Sequence, residues 1–118
     1  MAATIWPHLT LDDDWLEQFD SINADAQRLW VTVSLAMASA PPTQRRANTH
    51  GGVLVSFGYD RDRDRIDVLT RTKWCVLRYF VHAPRALALH ESAAGKLIWA
   101  RDASGICTQI TFAPIRWD

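Results

Sequence analysis

The sequence predicts an α+β fold in which a long N-terminal helix packs on an antiparallel sheet of about five strands. Two kinds of periodicity lead to this prediction. From Trp15 to Ala36, apolar residues recur every three or four positions, which is the helical period. Around the charged run 60–65 and again near the C-terminus, apolar and polar residues alternate, which is the strand period. With 118 residues, the chain is expected to form a single globular domain, 1–118, around one core.

The predicted helix begins after three aspartates and ends before two prolines. Residues 12–14 supply an N-cap and an acidic first turn, which suit the positive end of a helix dipole. Pro41 and Pro42 cannot continue a helix. The apolar stripe between these limits consists of Trp15, Phe19, Ile22, Ala26, Leu29, Val33 and Ala36. Residues 30–35 also alternate as a strand would, but the unbroken stripe favours one helix.

Two segments without regular structure are predicted to flank this helix. Residues 1–11 form an extended leader, because Pro7 disfavours helical geometry at Trp6. Residues 40–52 form a long polar loop that contains Arg45 and Arg46. Loops of this length are usually either disordered or functional, and both interpretations stay open for this one. In a functional loop, two adjacent arginines would suit an anionic group.

A hairpin is predicted around the alternating aspartates and arginines of 60–65. When Asp60 is placed opposite Arg65, Phe57 faces Val68. This register collects eight residues on one largely apolar face: Val53, Val55, Phe57, Tyr59, Ile66, Val68, Thr70 and Thr72. A four-residue loop is expected, because the two central residues make a poor two-residue turn. The interleaved arginines would repel calcium, so no cation is expected at this turn.

The remaining strands follow from alternation and from turn residues. The five predicted strands are 53–59, 66–72, 74–82, 97–101 and 106–112. The third is apolar on both faces, which is typical of a strand in the middle of a sheet. For residues 84–94, a proline at the start and Gly95 at the end favour a short helix, while the Ala-Leu-Ala-Leu run also allows a strand. The last two strands form a hairpin around 102–105, and Ile106, Thr108, Ile110 and Phe112 are its inner face.

The charge distribution is uneven although the net charge is zero. Residues 1–44 contain six acidic side chains and one basic side chain, whereas residues 45–85 contain nine basic and four acidic ones. Either the acidic helix and the basic sheet attract each other within the fold, or the surface has two poles suited to a dimer or a charged partner. Overall neutrality makes nucleic acid an unfavoured partner, since its binding depends on many phosphate contacts.

No motif in the chain indicates catalysis, a metal or a cofactor. Phosphate-binding loops, dinucleotide fingerprints and paired metal-ligand spacings do not occur, so no catalytic residue is assigned and enzymatic activity is disfavoured. Cys75 and Cys107 match no metal or redox spacing and are expected to be two buried thiols. With no long apolar run and no secretory signal, we expect a soluble, cytoplasmic protein without membrane contact.

The leading functional prediction is a non-enzymatic interaction module that binds another protein or itself. It depends on the missing catalytic signature, the divided charge and the abundance of Trp and Arg. The residues predicted to make the contact are Arg45, Arg46, Arg61, Arg63 and Arg65.

The alternative is a small-molecule-binding or hydrolytic domain with an aromatic pocket between helix and sheet, for a small apolar or anionic ligand. Its lining would be Trp30, Trp74, Tyr79, His82 and Trp99. Six tryptophans are spread along the chain, and this spacing predicts that most of them belong to the core.

Overall fold

A computed structural model describes residues 13–37 and 48–115, with the side chains of 35–37 and 48–50 excepted. The described chain forms one helix, α1 (Asp13–Ala24), followed by seven strands. The strands are β1 (Leu29–Met37), β2 (Asn48–Asp60), β3 (Arg65–Arg71), β4 (Val76–His82), β5 (Pro84–Ser92), β6 (Gly95–Asp102) and β7 (Ile106–Pro114). None of the described helical segments is long and apolar enough to cross a membrane. The predicted leader 1–11 and loop residues 40–47 lie outside the described part of the chain.

The prediction of a long helix on five strands is wrong, because the helix ends at Ala24. The chain then turns through Gln27, whose φ of 73° is left-handed and cannot continue a helix. Residues 30–35 lie in β1, where Val31 and Val33 are buried and Trp30 is exposed. The β-branched residues of this run suit a strand. Their spacing is also compatible with the apolar stripe of a helix. The sequence pattern therefore allowed both structures, and the pairing of this segment with β2 and β7 makes it a strand.

All the described strands belong to one antiparallel sheet in the order β4-β3-β2-β1-β7-β6-β5. β4 and β5 are therefore at opposite ends of the sheet, yet only Ala83 separates them in sequence. The sheet must roll until its two ends meet at this residue. Backbone hydrogen bonds fix the junction: Ala83 N donates to Asp64 O at 2.7 Å, and Ala103 N donates to Ala83 O at 3.1 Å. We call the unpaired gap between β4 and β5 the seam.

This topology corrects one further prediction and decides between two alternatives. The run 74–82 was expected in the middle of the sheet, but β4 is an edge strand. Residues 84–94, for which both a helix and a strand were open, contain strand β5 and the turn that leads to β6. Pro84 starts β5 rather than a helix, and proline is tolerated there because an edge strand needs no ladder hydrogen bond from that position. The end of the predicted polar loop is also a strand, since β2 begins at Asn48.

The central hairpin forms in the predicted register near its turn and departs from it further away. Asp60 pairs with Arg65 and Phe57 with Val68, and four residues form the turn. Between Leu54 and Ser56 a bulge shifts the register, so Leu54 pairs with Thr70. A bulge adds one residue to one strand and reverses the facing of every residue beyond it. Leu54 is consequently buried and Val53 lies on the outer face, which is the reverse of the prediction.

The core lies inside the rolled sheet and includes one face of α1. Phe19 packs on Phe57 with ring centroids 4.6 Å apart, and Phe57 packs on Phe112 at 5.0 Å. The cluster consists of Phe19, Ile22, Val31, Val33, Leu54, Phe57, Ile66, Val68, Val81, Leu87, Ile98, Ala100, Ile110 and Phe112. Of the inner face predicted for the last hairpin, Thr108, Ile110 and Phe112 are buried. The helix is thus held by apolar contact with the inner face of the sheet.

The end of α1 also covers part of a strand that β1 leaves unpaired. β1 pairs with β2 only as far as Val53, so the following residues of β2 lack a neighbour on that side. Gln27 N donates to Leu54 O at 2.7 Å, and Phe57 N donates to the Asn23 side-chain oxygen Oδ1 at 2.9 Å. Buried backbone groups must find partners, and the helix end supplies them here.

We predict that Asn23→Ala destabilises the protein by about 1–2 kcal/mol, because the amide of the buried residue Phe57 loses its acceptor. Urea denaturation measures the change in the free energy of unfolding. Ser21→Ala, at an exposed site on the same helix, is the matched control and should change stability by less than about 0.5 kcal/mol. Equal stability of the two variants would contradict the assigned role of Asn23.

Candidate interaction surface

The arginines predicted to bind a partner occupy different environments. Arg63 Nη1 lies 3.0 Å from Asp60 Oδ2, so its charge is balanced within the turn. Arg65 is half-buried, and its guanidinium carbon lies 3.9 Å from the centroid of the Phe80 ring, a cation–π contact. Arg61 is exposed, while Arg45 and Arg46 lie outside the described residues. The described part of the predicted site is therefore one exposed arginine beside one ion-paired and one stacked arginine.

Asp64, at the end of the charged turn, joins three parts of the chain at the closed end of the seam. The Tyr59 hydroxyl donates to Asp64 Oδ1 at 2.6 Å, and Arg85 Nη1 donates to Asp64 Oδ2 at 3.2 Å. The Asp64 carbonyl accepts the amide of Ala83. Asp64 and Ala83 both have a φ of 48°, an unusual backbone conformation for residues with a Cβ. This arrangement locks the hairpin turn to the start of β5.

The same contacts set the protonation of two groups. Burial, helped by the hydrogen bond and the negative charge of Asp64, raises the pKa of Tyr59 to about 12. The hydroxyl must stay protonated to donate to the carboxylate, so the folded state favours the neutral form. The hydrogen bond from Arg63 holds the pKa of the exposed Asp60 carboxyl below its ordinary value.

The five residues of the alternative pocket are not brought together. Trp30, Trp99 and His82 are on the outer face of three different strands, whereas Tyr79 faces inward. Trp74 lies in the bend before β4. Among the described residues, a cavity of about 250 Å³ is found elsewhere, near the C-terminal end of α1. Its lining includes Ile22, Asp25, Leu29, Glu91, Lys96 and Phe112.

Three large apolar side chains are well exposed on the outer surface. The exposed fraction is 85% for Trp74, 64% for Val76 and 44% for Trp30. Strand pairing connects them, because Val76 pairs with Arg71, Arg71 with Val53, and Val53 with Trp30. These four residues form one row across four strands, and Trp74 precedes the end of the row. We call these five residues the outer stripe.

Local contacts hold the stripe side chains in place. The Trp30 indole lies over Gly51, where an added Cβ would come within 3.0 Å of Trp30 Nε1. Glycine therefore leaves the room that the ring occupies. Arg71 donates from Nε and Nη2 to Gln27 Oε1 at 3.1 and 2.8 Å, which fixes the guanidinium at the centre of the row.

The bend that carries Trp74 is ordered by Thr72. Its hydroxyl accepts hydrogen bonds from the amides of Trp74 and Cys75, both at 3.2 Å. The Thr72 amide donates to the Cys75 carbonyl at 2.8 Å. A fixed backbone therefore presents an exposed indole, and a partner would not have to order this segment on binding.

The described tryptophans do not fill the core, contrary to the prediction for most of the six. Trp15 and Trp99 are half-buried, and Trp30 and Trp74 are exposed. The core cluster is made of Phe, Ile, Leu and Val side chains together with Ala100, and Trp15 packs against it without being buried. The cysteines also differ from expectation: Cys75 is exposed and Cys107 half-buried, and they form no disulfide.

The acidic side chains of α1 and the possible metal ligands of the described chain are two further features of the surface. Asp13, Asp14, Glu17 and Asp20 are exposed on α1. The ion pairs found among the described residues join strands with each other or with the turn at 61–64, and none of them joins helix and sheet. Separate surface poles stay a prediction. Across residues 13–37 and 48–115, no group of three His, Cys, Asp or Glu side chains is placed to hold a metal ion.

Comparison with known proteins adds no relative: no family model, no curated protein and no solved structure matches this chain.

We predict that the free energy of unfolding falls between pH 10 and pH 12, and that Tyr59→Phe makes this fall smaller. Below pH 10 both the folded and the unfolded chain hold the tyrosine proton. Between the two pKa values the unfolded chain releases its proton while the folded chain keeps it, so stability is lost as pH rises.

Urea denaturation of both proteins at pH 8 and at pH 11 checks this. The variant should be less stable at pH 8, by about 1 kcal/mol for the lost hydrogen bond, yet lose less on the change to pH 11. Burial raises the pKa of Tyr79 as well. Because Tyr79 is present in both proteins, its contribution to the loss of stability is common to both, and the difference between them reports on Tyr59. Identical losses in the two proteins would refute the raised pKa of Tyr59.

Proposed function

We propose that the protein is a small soluble interaction module, without catalytic activity, that binds another protein or a second copy of itself through the outer stripe. The observation that supports this proposal is the exposure of Val76 and Trp30 on one row of the sheet, which Val53 and Arg71 connect, with the exposed Trp74 in the bend before the row's end. Single exposed apolar residues are ordinary on protein surfaces, whereas contiguous ones indicate contact sites.

The chemistry of the stripe is that of binding hot spots. Trp and Arg are the residues that most often dominate interface energetics, and the stripe contains Trp74, Trp30 and a fixed Arg71. Each indole can bury about 150–250 Å² of surface. The row is largely apolar with one central charge, which suits a partner with an apolar patch and an acceptor group opposite Arg71.

The charged turn is a weaker candidate for the main contact. Its ion pair between Arg63 and Asp60 would have to be broken or kept in place on binding, and exposed pairs of this kind contribute little. Arg61 stands at the other end of β3 from Arg71, roughly 20 Å away at about 3.3 Å per residue. We keep the sequence-predicted arginines as a second surface to be tested, and we keep the cytoplasmic location expected from the sequence as part of the proposal.

We predict that Trp74→Ala combined with Val76→Thr abolishes partner capture and leaves the melting temperature nearly unchanged, because both side chains are exposed. Loss of a central aromatic anchor weakens binding by about 30-fold or more, at roughly 2 kcal/mol or above. The native protein and its variants are immobilised at equal density, and the captured proteins are quantified by mass spectrometry.

The matched control is Arg61→Ala combined with Arg63→Ala, which alters the charged turn and leaves the stripe intact. Capture retained by this control and lost by the stripe variant supports the proposal. If the control loses capture instead, the contact is at the charged turn and the stripe is not the site. Capture unchanged in both variants refutes an interaction through either surface.

A further inference from the structure

The cavity near the C-terminal end of α1, which we call the helix-end cavity, lies on the inner face of the sheet beside the turn between β5 and β6. The buried side chains of Ile22 and Phe112 line its deep side. Leu29 and Pro114, which pair across β1 and β7, continue the apolar wall toward solvent. Its volume of about 250 Å³ is below the roughly 300–1,000 Å³ of sites for drug-sized ligands, so it suits a molecule with a single ring or a short chain.

Charged side chains replace apolar ones where β5 and β6 reach this cavity. Leu89 pairs with Ile98, and both pack with the core on the inner face. Side chains alternate between the faces of a strand, so the next pair on the inner face is Glu91 opposite Lys96. Both of these charged residues line the cavity. A few polar groups at the edge of an apolar wall are typical of a site for a small ligand.

Gly95, at the start of β6, is a further part of the lining. Its φ of 138° is a conformation that side chains rarely allow, and an added Cβ would collide with the carbonyl oxygen of Phe112. The close approach of β6 to β7 therefore excludes a side chain at this point. The space along this part of the lining is consequently set by the backbone.

The charges around the helix-end cavity favour a cation. Asp25 and Glu91 contribute two carboxylates, whereas Lys96 is the single basic side chain among the described lining residues. The atoms Lys96 Nζ and Glu91 Oε1 are 3.7 Å apart and both side chains are partly exposed, so this ion pair is weak. The Asp25 side chain forms no ion pair with another described residue. In addition, α1 has no basic residue in its last turn to offset the negative end of its dipole.

We infer that the helix-end cavity binds a small primary amine with an apolar body, such as an arylalkylamine with a single ring. The apolar body packs against Ile22 and Phe112, which are buried, and the ammonium group lies near the carboxylates of Asp25 and Glu91, which are exposed. A neutral ligand of the same shape gains no charge contact, and an anionic one meets two like charges. The site is independent of the outer stripe, which lies on the other face of the sheet.

Titration of the full chain with phenethylamine, followed by amide chemical shifts in NMR spectra, tests this site. Phenethyl alcohol and phenylpropionate are the neutral and anionic probes of similar size. The amine should shift the amide signals of Ala93, Gly95 and Phe112, which line the cavity. It should bind about fivefold more tightly than the alcohol, which is the contribution expected of partly exposed charges, and the carboxylate should bind most weakly.

Four variants identify the groups that select the amine. Asp25→Asn and Glu91→Gln retain the shape of exposed side chains, and each should weaken amine binding by roughly threefold. Lys96→Met removes the opposing charge and should strengthen amine binding by a similar factor, a gain that damage to the fold cannot produce. Asp20→Asn, at an exposed site of α1 away from the described lining, is the matched control and should leave the affinity unchanged.

Three results would overturn the amine site. Equal affinity for the amine and the alcohol would show that the cavity does not select a cation. Shifts confined to amides of the outer stripe would place the ligand elsewhere, and unchanged spectra in the millimolar range of amine would show that no site exists. Partner capture through the outer stripe should be the same for Asp25→Asn as for the native protein, so the amine site and the proposed function can fail separately.

Discussion

A single residue separates β4 from β5, and this short connection shapes the whole sheet. The two strands lie at opposite ends of a seven-stranded order, so the sheet must roll until Ala83 can join them. The left-handed backbone at Ala83 and Asp64, and the hydrogen bonds that converge on them, are located where the roll closes. The concave inside then has room for one amphipathic helix, and none of the described elements covers the outer face. The outer stripe and the free edge of β4 follow from this geometry.

The helix contributes more than apolar area. Beyond Val53, β2 has no hydrogen bonds from β1. There, Asn23 accepts a hydrogen bond from the amide of Phe57, and Gln27 donates one to the carbonyl of Leu54. A short helix can therefore replace a missing length of strand, provided that its capping residues have the right groups. Exposed acidic residues on the opposite side of the helix keep that surface in water.

Some of this architecture could be read from the sequence, and the reasons for the failures are specific. The turn at 60–65 and the last hairpin were predictable, because alternation and turn residues agreed there. Residues 30–35 were misassigned because they satisfy the helical and the strand period together. The bulge near Val55 leaves no trace in residue type, and one extra residue was enough to exchange the faces of Val53 and Leu54. The local sequence determined where the hairpin strands and turns form, whereas the pairing between strands determined their register.

The exposed outer stripe was harder to predict than the hairpins. A strand that is apolar on both faces, such as β4, is typical of a sheet interior, yet the topology places β4 at an edge of the sheet. Arginine content drew attention to the turn, where Arg63 and Arg65 already have partners in their own chain. Whether these arginines also meet a partner stays a prediction. The exposure of Trp30 on β1 and of Trp74 in the bend before β4 is a property of the fold and is not visible in composition.

Gln27 has a consequence for how the helix and the stripe behave together. Its backbone amide holds the carbonyl of Leu54, and its side-chain oxygen holds Arg71. One residue in a left-handed turn thus connects the end of the helix with the centre of the outer row. The strand beneath the helix end and the guanidinium on the outer surface are held by the same residue.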